Sequence, residues 1–228
     1  MRAIRQHAFG TPEELRLEEV PDPHPPTGAV RVRVASAGVH LIDAAIRRGE
    51  RTGPFPLPQL PMTPGREIAG VVDEVGADAD ADWIGRRVVA DLGAASGGYA
   101  ELAIARLGTL HVIPAGMHDD HAVAMVGTGR TAMSVLEVGA PTAADVVLVT
   151  AAASGIGAIL VQALRATGST VIGVAGGPAK VSTVAALGAS ATIDYRVSGW
   201  PDAVRSAAGS RPITLALDGV GGDIGRST

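Results

Sequence analysis

Apolar and polar residues follow two different rhythms along this chain. Up to about Pro114, apolar residues come in short alternating runs separated by proline and glycine clusters, as in Val30-Arg31-Val32-Arg33-Val34, residues 68–75 and Arg87-Val88-Val89-Ala90. Alternation with period two gives a strand one buried and one wet face, so this half predicts an antiparallel, barrel-like unit. Pro21-Asp22-Pro23-His24-Pro25-Pro26 lacks the N–H groups of a central strand and predicts an extended connector. Gly53-Pro54-Phe55-Pro56-Leu57-Pro58 predicts a loop for the same reason. A helix is expected over 121–138, capped by Asp120 and stopped by Gly139-Ala140-Pro141. From Asp145 onward strands (146–150, 170–174, 192–193, 213–217) alternate with helices (157–166, 179–187, 202–208). That order predicts a parallel sheet built with right-handed crossovers. The chain is therefore read as α/β, with one domain over 1–118 and a second over 119–228. The second domain reaches only four strands, fewer than a dinucleotide fold usually has.

The chemistry is concentrated where the first of these strands ends. Val146-Val147-Leu148-Val149-Thr150 runs into Ala151-Ala152-Ala153-Ser154-Gly155-Ile156-Gly157 and then a helix. Short side chains there let a pyrophosphate approach the backbone, and a helix N-terminus offers free N–H groups and partial positive charge. Ala152 and Ser154 replace the first two glycines of the usual fingerprint, and Gly157 keeps the third. Ser154 adds a hydroxyl that can reach a phosphate oxygen. An NAD-type site wants an acid about 20 residues past the turn to hold the ribose hydroxyls. Here the stretch from Val146 to Ile193 has no Asp or Glu, and the corresponding place is Val174-Ala175-Gly176-Gly177, followed by Lys180. Such a rim does not repel a 2′-phosphate, which points to NADPH. Lys180, after the second strand, and Tyr195, after the third, are the expected phosphate contacts.

Composition removes several alternatives. The 228 residues carry a net charge of −4 with no Lys/Arg-rich run, so no basic field exists to attract nucleic acid. With no cysteine there is neither a disulfide framework nor a thiolate metal site. No apolar stretch suits a membrane span, and a cytoplasmic protein is expected. His111, His118 and His121 lie close in sequence but read as surface histidines rather than metal ligands. A short-chain dehydrogenase would need Tyr-x-x-x-Lys, and neither Tyr99 nor Tyr195 has Lys four residues on.

Several segments, in order, resemble the zinc-independent NADPH:quinone oxidoreductases of the medium-chain dehydrogenase/reductase superfamily. They are Leu17-Glu18-Glu19-Val20-Pro21-Asp22-Pro23 with Gly28; Ala37-Gly38-Val39-His40-Leu41-Ile42-Asp43 with Arg47-Arg48-Gly49; Pro64-Gly65-Arg66-Glu67-Ile68-Ala69-Gly70; and Gly97-Gly98-Tyr99-Ala100-Glu101. Thr131-Ala132, the 151–157 turn, Lys180, Leu187-Gly188-Ala189 and Tyr195 complete the set. The resemblance implies a GroES-like β-rich catalytic domain packed against a Rossmann domain, with the active site in the cleft between them. It implies metal-independent hydride transfer from NADPH to a quinone or to the β-carbon of an enone, in a homodimer. Zinc-containing relatives place Cys where His40 stands and His where Arg66 stands. The resemblance assigns Thr131 to the nicotinamide ribose, Gly155 and Ile156 to the pyrophosphate, and Gly176 to the turn after the second strand. Val220 and Gly221 fall at the far edge of the cofactor. His40, where the family usually has Asn, would face the substrate, either polarising it or standing as a silent replacement. Asp43 would orient that site or cap a helix. Complete members continue past the point this chain reaches, so it is expected to be C-terminally truncated, and a catalytically silent remnant that only folds or associates stays open as a second reading.

Overall fold

A computed structural model describes residues 1–51 and 56–228. They form two compact units, Met1–Gly127 and Thr128–Thr228.

In the first unit β1 (Arg2–Gln6) and β2 (Leu15–Glu19) make an antiparallel hairpin. Five further antiparallel strands are β3 (Ala29–Ala37), β4 (Glu67–Val75), β5 (Arg87–Asp91), β6 (Leu102–Arg106) and β7 (Leu110–Val112), in the order β6-β3-β4-β5-β7. The period-two pattern explains which face is buried. Val30, Val32, Ile68, Val72, Val88, Ala90, Ala103 and Ala105 form one core cluster, while Arg31 points away from it and bonds the Asp73 carboxylate of the neighbouring strand at 2.8 Å. Residues 21–26 run without helix or strand, as their prolines demand. Of the loop expected at 53–58, residues 53–55 lie outside the described residues, and Pro56, Leu57 and Pro58 take no regular structure. A short helix, α1 (Leu41–Arg47), follows β3.

The long helix α2 (Asp119–Gly139) begins before the expected start, and Asp120 lies in its first turn rather than capping it. The reason is tertiary. Asp119 is held by the Arg87 guanidinium at 2.7 Å, and the His118 carbonyl accepts the Ala122 N–H at 3.0 Å. Both acids sit favourably at the positive end of the helix.

The second unit is a parallel sheet of β8 (Val146–Val149), β9 (Thr170–Ala175), β10 (Ala191–Asp194) and β11 (Leu215–Leu217), in the order β10-β9-β8-β11. Its helices are α3 (Gly155–Thr167), α4 (Pro178–Ala186), α5 (Trp200–Ala208) and the single turn α6 (Gly222–Arg226), which the sequence pattern did not announce. Strands covered on both faces must be apolar at every position, and all four residues of β8 are buried. Val147 and Val149 pack with Leu160, Val161 and Leu164 of α3; Val146 and Leu148 pack with Val204 of α5. Because β9 and β11 lie on opposite sides of β8, the strand order reverses between β8 and β11. Open sheets bind ligands at the carboxyl ends of the strands beside such a reversal. Among the described residues no helix is long and apolar enough to cross a membrane.

Asp145 pins the entry to this sheet. Its carboxylate accepts from the Thr142 hydroxyl and the Thr214 hydroxyl, both at 2.7 Å. Those two bonds, and then the Thr142 N–H, hold its pKa below the ordinary 3.8. Asp194 and Asp218 are lowered likewise by their own donors. A depressed carboxylate contributes stability that is complete above its unfolded pKa and is lost as pH falls through the native one. The second unit is expected to lose stability as pH drops below about 3.8, and Asp145→Asn should flatten that dependence. Urea unfolding followed across the acid range checks this; a wild-type midpoint that stays level below that pH would contradict it.

Candidate functional site

The turn after β8 has its strain and its steric limit at different residues. Ala151 takes the left-handed conformation, with φ of 45°, a position that costs a residue with a Cβ about 1 kcal/mol. Ala152 and Ser154 have negative φ, so neither needs to be glycine. Gly157 does, for lack of room: a Cβ there would overlap the Ala151 carbonyl oxygen and stand 2.7 Å from Ala152 Cα. Ser154 is the N-cap of α3, its Oγ accepting the Gly157 N–H at 3.1 Å. Its hydroxyl proton remains available to a ligand oxygen.

Thr131, Ser154, Ile156 and Gly157, which are expected to contact the cofactor, line one cavity of about 250 Å³ together with Thr150 and Asp218. Gly155 stands beside it, its Cβ position 3.1 Å from the Thr128 methyl. The Asp218 carboxylate accepts the Thr150 hydroxyl at 2.6 Å and the Val220 and Gly221 N–H groups at 3.0 Å each. The Thr150 hydroxyl leads the causes of its lowered pKa. The N–H groups of Val220 and Gly221 are thus directed inward at Asp218, which organises the loop that carries them. Asp218 was legible only as an acid directly after an apolar strand.

A second group lies at the ends of β9 and β10. The Tyr195 hydroxyl lies against Gly176, where a Cβ would come within 2.6 Å of it. The Gly177 N–H donates to Asp194 Oδ1 at 2.9 Å, and the Arg196 guanidinium lies 3.0 Å from the place a Gly177 Cβ would take. Lys180, the single lysine of the chain, is exposed in the first turn of α4. The acid-free stretch ends one residue before Asp194, and the fold returns that carboxylate to the rim. There it already accepts two backbone N–H groups, from Gly177 and Arg196, which hold its pKa down. Sequence reasoning missed both Asp194 and Arg196, although each adjoins Tyr195. A glycine turn, a capped helix start and a rim bearing Lys180, Arg196 and Tyr195 fit the pyrophosphate and adenosine ribose of a dinucleotide.

In the first unit His40 precedes α1, and Asp43 caps that helix by accepting the His40 N–H at 2.8 Å. Asp43 also accepts the Tyr99 hydroxyl at 3.0 Å. Burial, and after it the Asp43 charge, push the Tyr99 phenol well above its ordinary pKa. The His40 ring reaches Glu67: Nε2 lies 2.6 Å from Glu67 Oε2. Glu67 is 5% exposed, and Gly38 and Gly127 crowd its carboxylate so closely that a Cβ on either would collide with it. An acid buried this deeply requires a partner, and His40 is that partner. Arg66, one residue before Glu67, instead lines a separate cavity with Ile46, Leu57 and Pro58. The His118 and His121 rings pack edge to face, centroids 5.7 Å apart. Among the described residues no three His, Cys, Asp or Glu side chains are grouped to hold a metal ion.

A β-rich GroES-like unit followed by a Rossmann-type parallel sheet has the architecture of a two-part dehydrogenase. Comparison with known proteins agrees with it. Residues 26–115 match the alcohol dehydrogenase GroES-like domain, and residues 155–227 match the family described as zinc-binding dehydrogenase. Rat quinone oxidoreductase is 32% identical over 220 residues, covering 96% of this chain and 66% of that protein. The 2-haloacrylate reductase of a Burkholderia species is 31% identical over 220 residues, covering 95% of this chain and 66% of that protein. The structure of Escherichia coli quinone oxidoreductase complexed with NADPH aligns with a TM-score of 0.88 at 29% identity, over 100% of this chain and 69% of that one. The chain thus spans just under two thirds of the length of the curated relatives it matches. It belongs to the quinone oxidoreductase group of the medium-chain dehydrogenase/reductase superfamily.

Proposed function

We propose that this chain binds NADPH and serves the metal-independent reduction of a quinone or an α,β-unsaturated carbonyl compound. The observation that carries the nucleotide choice is the rim at Gly176-Gly177, where the Tyr195 hydroxyl and the Arg196 guanidinium lie against the two glycines, Lys180 stands exposed at the start of α4, and the Asp194 carboxylate is engaged by backbone N–H groups. Two cations and a phenol favour a 2′-phosphate over a bare ribose. Thr131 seats the nicotinamide ribose, Ser154, Gly155, Ile156 and Gly157 take the pyrophosphate, and the Val220-Gly221 loop closes the far edge. The likeness to a quinone oxidoreductase complexed with NADPH supports the same reading, and the likeness to a 2-haloacrylate reductase supports an activated alkene as acceptor.

NADPH, when bound, supplies the hydride. Reduction of an enone also consumes one proton, delivered to the α-carbon after hydride reaches the β-carbon; a quinone takes its proton on oxygen. His40 is the proton source in this reading. Glu67 holds the ring by Nε2 and so fixes the orientation of the donor. Metal is dispensed with because the chain has no cysteine and carries Arg66 where zinc-containing relatives have His.

Lys180→Ala tests the nucleotide assignment. Loss of one charge-assisted contact should weaken NADPH about tenfold to a hundredfold and NADH by no more than about twofold. Fluorescence titration with both nucleotides measures this, and equal effects on the two would remove Lys180 from the phosphate site.

A further inference from the structure

We infer that the cavity beside Arg66 is a carboxylate-binding site and that the acceptor is a short enone acid rather than a neutral quinone. The inference rests on the reductase reading above and narrows its substrate class. The cavity holds about 390 Å³, and its walls include Ile46, Leu57, Pro58 and Ala94, with Arg66 and Ser96 as polar groups. This volume falls in the lower part of the range for small-molecule pockets, and the pattern of apolar walls with few polar groups is typical of them.

Arg66 sets the site apart. It is half-buried, and among the described residues its side chain makes no ion pair or hydrogen bond. Two half-buried arginines on strands of this unit are by contrast paired, Arg31 with Asp73 at 2.8 Å and Arg87 with Asp119 at 2.7 Å. The Arg66 backbone is fixed by the Leu92 N–H, which donates to its carbonyl at 2.6 Å, so the guanidinium is presented from an anchored residue. A partly desolvated cation against apolar walls gains most from a ligand anion, and the planar guanidinium fork matches a carboxylate with two parallel bonds. The helix that carries Ile46 into the wall of this cavity starts at His40. His40, the N-cap of that helix, and Arg66 therefore belong to the same unit, so the anion contact and the proposed proton donor are carried on one scaffold.

The test compares β-acetylacrylate with its methyl ester, which keeps the enone but carries no charge at the proposed contact; the Arg66 variants separate that contact from the ester's added methyl and stronger activation of the alkene. The wild-type chain should reduce the acid with kcat/KM about tenfold to a hundredfold above the ester. Arg66→Gln should erase that preference by lowering the acid rate and leaving the ester within about threefold, and Arg66→Lys should restore part of it. Equal use of acid and ester by the wild type, or a preference for the acid that Arg66→Gln leaves intact, overturns the inference while the reductase reading stands. Calorimetric binding of the acid, without turnover, separates the two ideas. A chain that reduces neither compound yet binds the acid through Arg66 keeps the anion site and overturns the reductase reading, whereas absence of Arg66-dependent binding overturns the site itself.

Discussion

Gly157→Ala is expected to destabilise the second unit by about 3 kcal/mol and to abolish nucleotide binding at the same time. The added methyl would overlap the Ala151 carbonyl oxygen and lie 2.7 Å from Ala152 Cα and 2.9 Å from its carbonyl carbon. All three are backbone atoms of the turn, so no side chain can rotate to make room. The turn must open, and it has little tolerance because Ala151 already sits at a φ of 45°. Opening it also pulls the Gly157 N–H from the Ser154 cap, a loss of about 1 kcal/mol. Urea denaturation and NADPH titration of the variant measure the two effects. Near-native stability with intact binding would show that the turn yields more easily than its geometry indicates.

His40→Ala is expected to slow acceptor reduction at least about a hundredfold, the lower bound for removing a general acid, while NADPH affinity stays within about twofold. It should also destabilise the first unit by about 3 kcal/mol, because Glu67, 5% exposed, is left without its partner. The double variant His40→Ala/Glu67→Gln separates the two effects: removing the buried charge should recover much of the stability and none of the turnover. Glu67→Gln alone keeps the shape and an acceptor for Nε2, so it should leave the first unit folded and lower turnover less than His40→Ala does. Turnover within a few-fold of wild type in His40→Ala would end the proton-donor role.

Local pattern was enough wherever burial and period agreed. The alternation in β3 and β5 and the wholly apolar β8 could be read directly, because each side chain's environment is set by its own strand. The hairpin β1–β2 was not, since Leu15-Arg16-Leu17-Glu18-Glu19 is largely exposed and its pairing lies across a turn. The start of α2 was misplaced because a salt bridge from Arg87, 32 residues earlier, decides it. The residues near the nucleotide turn were legible from glycine spacing, yet the left-handed residue is Ala151, one before the position where fingerprint reasoning looks. Contacts made by folding were the least legible. Glu67 lay in a quoted motif, but its bond to His40 spans 27 residues. Asp194 belongs to the rim only because Gly176-Gly177 folds back toward β10. Asp218 acquires its role from Thr150, 68 residues away.

The solitary Lys180 has a practical corollary. Outside the N-terminal amine, a succinimide ester has only one place on this molecule to react. Amine coupling to a sensor surface would therefore tether a fraction of the molecules through the very edge that is proposed to grip the adenosine phosphate, and those molecules would read as inactive. Attachment through an introduced cysteine has no native thiol to compete with it, and is the better way to display this protein.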